Sequence, residues 1–175
     1  METVILVDDH DSPLGEMEKM EAHRLGKLHR AFSIFVFNSK GEMLIHQRAL
    51  SKYHSGGLWT NACCSHPRPG EAVEAAAHRK LQQEMGFDCP LKWKFAFVYH
   101  VPLDKGLQEH EYDHVFLGTF NSVPKLNPEE AAAYKWIAPD ALEKDVKARP
   151  AHYTEWFKIA LERVLTFQKE HANSS

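Results

Sequence analysis

Two adjacent thiols and an imidazole sit just ahead of a helix start in the stretch Trp59-Thr60-Asn61-Ala62-Cys63-Cys64-Ser65-His66-Pro67-Arg68-Pro69-Gly70-Glu71. A helical pattern runs from Glu71 to Met85, and Gly86 is a suitable residue to end it. A strand that delivers polar, titratable groups to a helix N-terminus builds a reactive site, because that terminus attracts anions and lowers thiol pKa values. The plainer alternative is that Cys63 and Cys64 fill the core as small hydrophobes. Strand alternation sends neighbouring side chains to opposite faces, so only one of the two thiols can enter a given slot.

Carboxylates form the second group. In the strand pattern Glu109–Phe120, the residues Glu109, Glu111, Asp113, Val115 and Leu117 share one face. If the apolar pair points inward the carboxylates do too, which is costly unless a cation or donor meets them. Twelve histidines invite a search for metal ligands. His23 and His29 are six apart and fall on different faces of a helix, so the chain must turn or extend between them for both to reach one ion. Arg48 and Lys52 stand beside Ser55-Gly56-Gly57. They read as either a solvated basic surface or a phosphate site. Lys80 and Glu84 are i,i+4 neighbours, for which an exposed ion pair is the simplest reading.

The elements that must position these groups alternate between strand and helix. Thr3–Val7 is a short β-branched strand, and a helix is expected around Met17–Arg24. Ala31–Phe37 is a nearly continuous apolar run, the pattern of a strand buried on both faces. Asn38-Ser39-Lys40-Gly41 has hairpin chemistry, with Glu42–Arg48 as the partner strand. Leu58–Cys64 reads as one further strand. Lys92–Val101 alternates, with Trp93, Phe95, Phe97, Tyr99 and Val101 on one face. A turn at Asn127–Glu130, a strand near Tyr134–Ile137 and a short helix at Pro139–Lys147 follow. The closing helix, Tyr153–Lys169, has Trp156, Phe157, Ala160, Val164 and Phe167 as its apolar stripe, and the tail His171–Ser175 is expected to fray.

Composition bounds the reading. At 175 residues the chain suits one domain spanning 1–175, large enough for a core without disulfides. Its 43% hydrophobic and 26% charged residues are those of an ordinary globular protein. A net charge of −3 argues against nucleic acid as the main partner. Three cysteines, two adjacent, do not form a disulfide framework, and no apolar run approaches the roughly 18 residues of a membrane span. The expectation is a cytoplasmic α+β protein.

Ser65-x5-Glu71-x7-Arg79-Lys80-Leu81-Gln82-Gln83-Glu84-Met85-Gly86-Phe87 resembles the Nudix box, GX5EX7REUXEEXGU. Ser65 stands for the first Gly, while Lys80 and Gln83 stand where glutamates are expected. Nudix hydrolases use those glutamates to hold the divalent ions that activate water. The chain is similar over nearly its whole length to one branch of that superfamily, the type 1 isopentenyl-diphosphate delta-isomerases. The shared stretches are Leu28-His29-Arg30-Ala31-Phe32-Ser33, Phe37-Asn38-x-x-Gly41, Gln47-Arg48-Ala49-Leu50-Ser51-Lys52, Trp59-Thr60-Asn61-x-x-Cys64-x-His66-Pro67, Glu109-x-Glu111 and Trp156.

The resemblance implies a Nudix-type mixed β-sheet flanked by α-helices, with extra N-terminal structure. It implies one divalent ion (Mn2+, Mg2+ or Zn2+) held by His23, His29, His66, Glu109 and Glu111. It implies proton transfer by Cys64 and Glu111, with Tyr99 tuning Glu111 and Trp156 facing a carbocation-like state. Lys19, Arg48, Lys52 and Lys80 would bind the diphosphate, together with a Mg2+ held by Glu84. Cys64 rather than Cys63 matches the motif, two residues before His66, and Cys89 reads as structural. The implied partner is a small allylic or homoallylic diphosphate, with no nucleic acid and no membrane, acting on a monomer or weak dimer. Two alternatives stand beside this reading: a Nudix hydrolase of a nucleoside diphosphate derivative, and a noncatalytic metal-stabilised binding module.

Overall fold

The structure, a computed structural model, describes residues 2–173. At its centre is β3, following β1 (Thr3–Val7), β2 (Pro13–Glu18) and α1 (Lys19–Leu25). Strand β3 (His29–Phe37) is buried at every residue but Arg30, as its apolar run requires. One of its edges is covered along its whole length by the parallel strand β8 (Gln108–Thr119). The other edge is shared: β1 meets it at His29, β6 (Cys63–Ser65) at Phe32–Ile34, and β4 (Met43–Arg48) at Phe37. Strand β7 (Leu91–Pro102) extends the sheet beyond β8, and β2 extends it beyond β1. Strand β4 is flanked by β5 (Trp59–Thr60) and β9 (Ala131–Ile137).

Helices cover both faces. Against α2 (Val73–Met85) lie Phe32, Ile34 and Val36, which meet Ala76, Ala77, Leu81 and Met85. The short helix α3 (Pro139–Ala148) precedes α4 (Glu155–Asn173), on whose side Phe35 and Phe37 meet Phe157, Ala160, Leu161 and Val164. Burying each such Phe or Leu side chain is worth about 1.5–3 kcal/mol. Gly86 ends α2 at φ 71°, and a Cβ there would collide with the Lys125 carbonyl.

Five expectations are corrected. The Asn38–Gly41 turn joins β3 to β4, with Asn38 Oδ1 accepting from the Lys40 and Glu42 N–H groups. The two strands nevertheless pair only at Phe37 and Met43, because β6 and β8 occupy the rest of β3. The stretch Leu58–Cys64 is two strands. At the break, the Asn61 amide donates to the Ile34 and Cys63 carbonyls, and the chain switches from pairing β4 to pairing β3. Trp93 leaves the inward face and is 54% exposed, because the register shifts between Trp93 and Phe95. Strand β2 precedes the helix in the stretch that reads as mixed; its first four residues are exposed, so no alternation marks it. The tail that reads as frayed stays helical to Asn173, and residues 174 and 175 lie outside the described residues. Among the described residues no helix is long and apolar enough to cross a membrane.

Candidate active site

Register decides what the site contains. The parallel pairing of β3 with β8 sets His29 beside Glu111, and the antiparallel pairing of β7 with β8 sets Tyr99 beside the same glutamate. The alternation of β8 turns Glu109, Glu111 and Asp113 inward, where they are 4%, 6% and 1% exposed. Helix α1 delivers His23, which is fully buried, and Gly26 at φ 70° ends that helix so the chain can return with His29. His66 follows directly on β6. One ligand atom from each of His23, His29, His66, Glu109 and Glu111 lies within 4.8 Å of the others.

The orientation of those rings is fixed from behind. His23 Nδ1 donates to the Lys19 carbonyl at 2.7 Å, and His29 Nδ1 donates to the Lys27 carbonyl at 2.8 Å. Each bond places the ring proton on Nδ1 and turns the Nε2 lone pair inward. There His23 Nε2 stands 2.9 Å from Glu109 Oε1, while Glu111 Oε2 stands 3.2 Å from His29 Nε2 and 2.9 Å from His66 Nε2. Lone pair thus faces carboxylate oxygen, an arrangement that needs a proton or a cation between them.

Burial holds His29 down at about 4, and burial with the neighbouring charges of His29 and His23 holds His66 well below the usual range. Both are therefore neutral at pH 7, the form that binds metal. For His23 burial works downward, yet the bond to Glu109 carries its pKa above the ordinary value. The two glutamates titrate as a pair. Burial and the charge of Glu109 push Glu111 well up; Glu109, despite burial, is held well down by Glu111, His23 and His54. Three imidazoles and two carboxylates suit a borderline divalent cation, whose charge would let both glutamates ionise.

Cys63 and Cys64 point to opposite faces, as alternation requires. Cys63 is fully buried on the α2 side, its Sγ 3.1 Å from Glu84 Oε2. Cys64 Sγ faces a narrow slot of about 30 Å³ that Glu111, Tyr99, Trp156, Arg48 and His66 also line. The Trp156 indole N–H donates to this sulfur at 3.1 Å; Asn61 Oδ1 lies 3.1 Å away and Ser33 Oγ 3.5 Å. Behind it, Ser33 Oγ donates to Asp113 Oδ2 at 2.7 Å. The expected lowering of the thiol pKa is overturned: burial, then the charge of Asp113, pushes Cys64 up to about 12. It lies half-buried on β6 and not at the start of α2, so no helix terminus stabilises a thiolate. Tyr99 Oη donates to Glu111 Oε1 at 2.5 Å.

The four expected phosphate-binding cations all have partners. Lys19 meets Glu2 at 2.5 Å, Lys52 meets Glu130 at 2.6 Å, and Arg48 Nη2 donates to the His54 carbonyl at 3.1 Å. Lys80 and Glu84 correct the expectation of an exposed pair. They are 7% and 5% exposed and 3.9 Å apart, because their face of α2 packs on the sheet. Lys80 borders a cavity of about 420 Å³ shared with His66, Arg68 and Glu2. Burial alone would raise Glu2, but Lys19, with Lys80 and Lys52 further off, brings it below its ordinary value. Burial, only partly offset by Lys80, raises Glu84 to about 6. Glu84 stands apart from the five clustered residues.

With this geometry in view, the NUDIX domain family matches residues 27–157. DR0079 from Deinococcus radiodurans superposes with a TM-score of 0.77 at 19% identity, covering 93% of this chain and 98% of that one, a likeness of fold. Isopentenyl-diphosphate Delta-isomerase 2 of Photorhabdus laumondii is 55% identical over 157 residues, 90% of this chain and 89% of that protein. Isopentenyl-diphosphate Delta-isomerase 2 of Aromatoleum aromaticum is 52% identical over 163 residues, 93% of this chain and 86% of that protein. The chain belongs to the isopentenyl-diphosphate Delta-isomerase family. Its Nudix fold is the mixed sheet between helices described above, with β1, β2 and α1 as the added N-terminal structure. Sequence reading passed over Tyr53 and His54, which line the slot from a loop without periodicity. It named Ser33 and Asn61 only as parts of shared stretches. Ser33 carried a signal, as a polar residue in the apolar run of β3, whereas Asn61 lies in the break between β5 and β6.

Proposed function

We propose that this protein is an isopentenyl-diphosphate Delta-isomerase, a metal-dependent Nudix-fold enzyme that interconverts isopentenyl and dimethylallyl diphosphate and so supplies isoprenoid synthesis. The observation that carries the mechanism is the meeting of a neutral thiol, Cys64, and a phenol-bonded carboxyl, Glu111, on one narrow slot beside the His and Glu cluster. Shifting the double bond requires a proton to add to the terminal methylene carbon and another to leave the neighbouring methylene nearer the ester oxygen. A tertiary carbocation-like state lies between. Such chemistry needs two proton-transfer groups flanking a dry space.

Cys64 Sγ is one of these groups, and burial keeps it protonated at neutral pH. Glu111 Oε1 is the other, and the Tyr99 hydroxyl holds it in place. Trp156 lines the same slot with its indole N–H on Cys64 Sγ, and its π system attracts a cation without offering it a nucleophilic atom. A divalent ion bound by His23, His29, His66, Glu109 and Glu111, with Mn2+, Mg2+ or Zn2+ as candidates, would neutralise the carboxylate pair and tune the proton on Glu111. The diphosphate exchanges the carboxylate partners of Lys19, Lys52 and Lys80 for its own oxygens, with Arg48 beside them. Glu84 would hold the Mg2+ that accompanies it.

One domain, residues 1–175, carries this activity as a monomer or weak dimer with a small diphosphate as its partner. The free thiols Cys63, Cys64 and Cys89 fit a reducing compartment, the cytoplasm. Hydrolysis of a nucleoside diphosphate derivative is not favoured: Lys80 and Gln83 leave too few carboxylates for a multi-metal clamp on water. The test is product analysis. The protein, purified without chelator and assayed for bound metal, should turn isopentenyl diphosphate into dimethylallyl diphosphate with no phosphate released. Phosphate release without the isomer would restore the hydrolase. Binding with neither product would leave a noncatalytic module.

A further inference from the structure

We propose that His54 is a positioning residue for the metal centre, holding Glu109 in its ligating orientation from outside the five-residue cluster. This rests on the reading of His23, His29, His66, Glu109 and Glu111 as a divalent-metal site. Glu109 presents two oxygens: Oε1 faces His23 at 2.9 Å, and Oε2 lies 3.2 Å from His54 Nε2. His54 is 3% exposed, yet it is not one of the residues whose ligand atoms gather within 4.8 Å. Its other nitrogen, Nδ1, lies 3.0 Å from Ser55 Oγ. When Nδ1 accepts from the Ser55 hydroxyl, the neutral ring carries its proton on Nε2, the nitrogen 3.2 Å from Glu109 Oε2.

The loop is built to put this ring there. Ser55 adopts φ 55°, a left-handed conformation uncommon for a non-glycine residue, and its N–H donates to Asp104 Oδ1 at 2.9 Å. Gly56 passes so close to the Leu50 carbonyl that a Cβ would sit 2.8 Å from that oxygen. The Arg48 guanidinium donates to the His54 carbonyl. On its faces the ring packs edge-on to Trp156, with centroids 5.7 Å apart, and to Tyr53 at 4.4 Å. His54 thus joins the metal-site carboxylate to the indole and to a cation assigned to the diphosphate. A partner that orients a ligating carboxylate in this way commonly contributes about 10–100-fold in metal affinity.

Two substitutions separate hydrogen bonding from packing. His54→Gln keeps an N–H donor toward Glu109 and loses the ring; His54→Phe keeps the ring and loses the donor. The metal-stripped proteins are titrated with Co2+ against a competing chelator, folding is checked by circular dichroism, and the visible Co2+ spectrum is recorded. Positioning predicts that His54→Phe binds Co2+ about 10–100-fold more weakly with an altered spectrum, while His54→Gln stays within a few-fold of the parent. Equal losses in the two variants, a larger loss in His54→Gln, or unchanged affinity in His54→Phe would overturn it. Wild-type protein that fails to bind Co2+ would instead overturn the metal-site reading itself.

Discussion

Replacing Tyr99 with Phe isolates the hydroxyl that meets Glu111. The phenol donates to Oε1 at 2.5 Å, while Oε2 of the same glutamate faces His66 and His29. Both side chains are buried, Tyr99 at 6% exposure, so water does not readily replace the lost donor. A hydrogen bond to a charged group contributes about 1.5–3 kcal/mol. If that bond acts while Glu111 exchanges its proton with substrate, Tyr99→Phe lowers kcat by about 10–150-fold. Metal affinity should change far less, because the oxygen facing the histidines keeps its neighbours. The assay follows dimethylallyl diphosphate formation at saturating Mn2+, alongside a metal titration. An unchanged kcat would refute the assignment, and an equal loss in metal affinity and kcat would show that Tyr99 serves the metal and not the proton transfer.

The remaining predictions concern the thiols, the phosphate site and acid stability. Cys64→Ala should lose about 10²–10⁴-fold in kcat while still folding, the usual contribution of a positioned acid or base, whereas Cys63→Ser, on the α2 face, should be far milder; steady-state kinetics of both variants checks the ranking, and its reversal would contradict the register. Lys80→Met should raise the KM for isopentenyl diphosphate about tenfold by removing a buried positive charge, and an unchanged KM would place the diphosphate elsewhere. Glu71 is held at about 2 by its hydrogen bonds to Arg79, against burial and with help from the Arg68 N–H. A folded-state pKa below the unfolded one means that this stabilisation is complete above about pH 4.5 and disappears as pH falls through about 2. Glu71→Gln should therefore unfold more readily than the parent at pH 7, by about 1 kcal/mol for a partly exposed pair, with the gap closing in acid; urea titrations at several pH values measure it.

Periodicity alone put the carboxylates of β8 on the inward face. The alternation of β8 put Glu109 and Glu111 on the face of Val115 and Leu117, and all four are buried as that pattern requires. The double-sided burial of β3 was legible for the same reason, since an uninterrupted apolar run has no face to give to water. The break at Asn61-Ala62 was not legible, because a side-chain amide replaces backbone partners there, and that depends on Ile34, far away in sequence. The pKa of Cys64 did not follow from its place before a helix: it is set by burial and then by Asp113, neither of which is local to it. Lys80 and Glu84 have ordinary i,i+4 spacing, and only the packing of α2 on the sheet makes them a buried pair. His54 sits in a loop whose conformation follows from close approaches, so no spacing rule points to it.

The central claim is that this site moves protons on carbon and leaves phosphorus alone. Incubation with isopentenyl diphosphate in deuterium oxide tests it most directly, by mass spectrometry of the recovered diphosphates and a parallel phosphate assay. An alkene that exchanges protons with Cys64 and Glu111 should return as dimethylallyl diphosphate carrying deuterium on carbon, with phosphate at background and both effects absent in Cys64→Ala. Free phosphate, with no deuterium on carbon, would contradict the account.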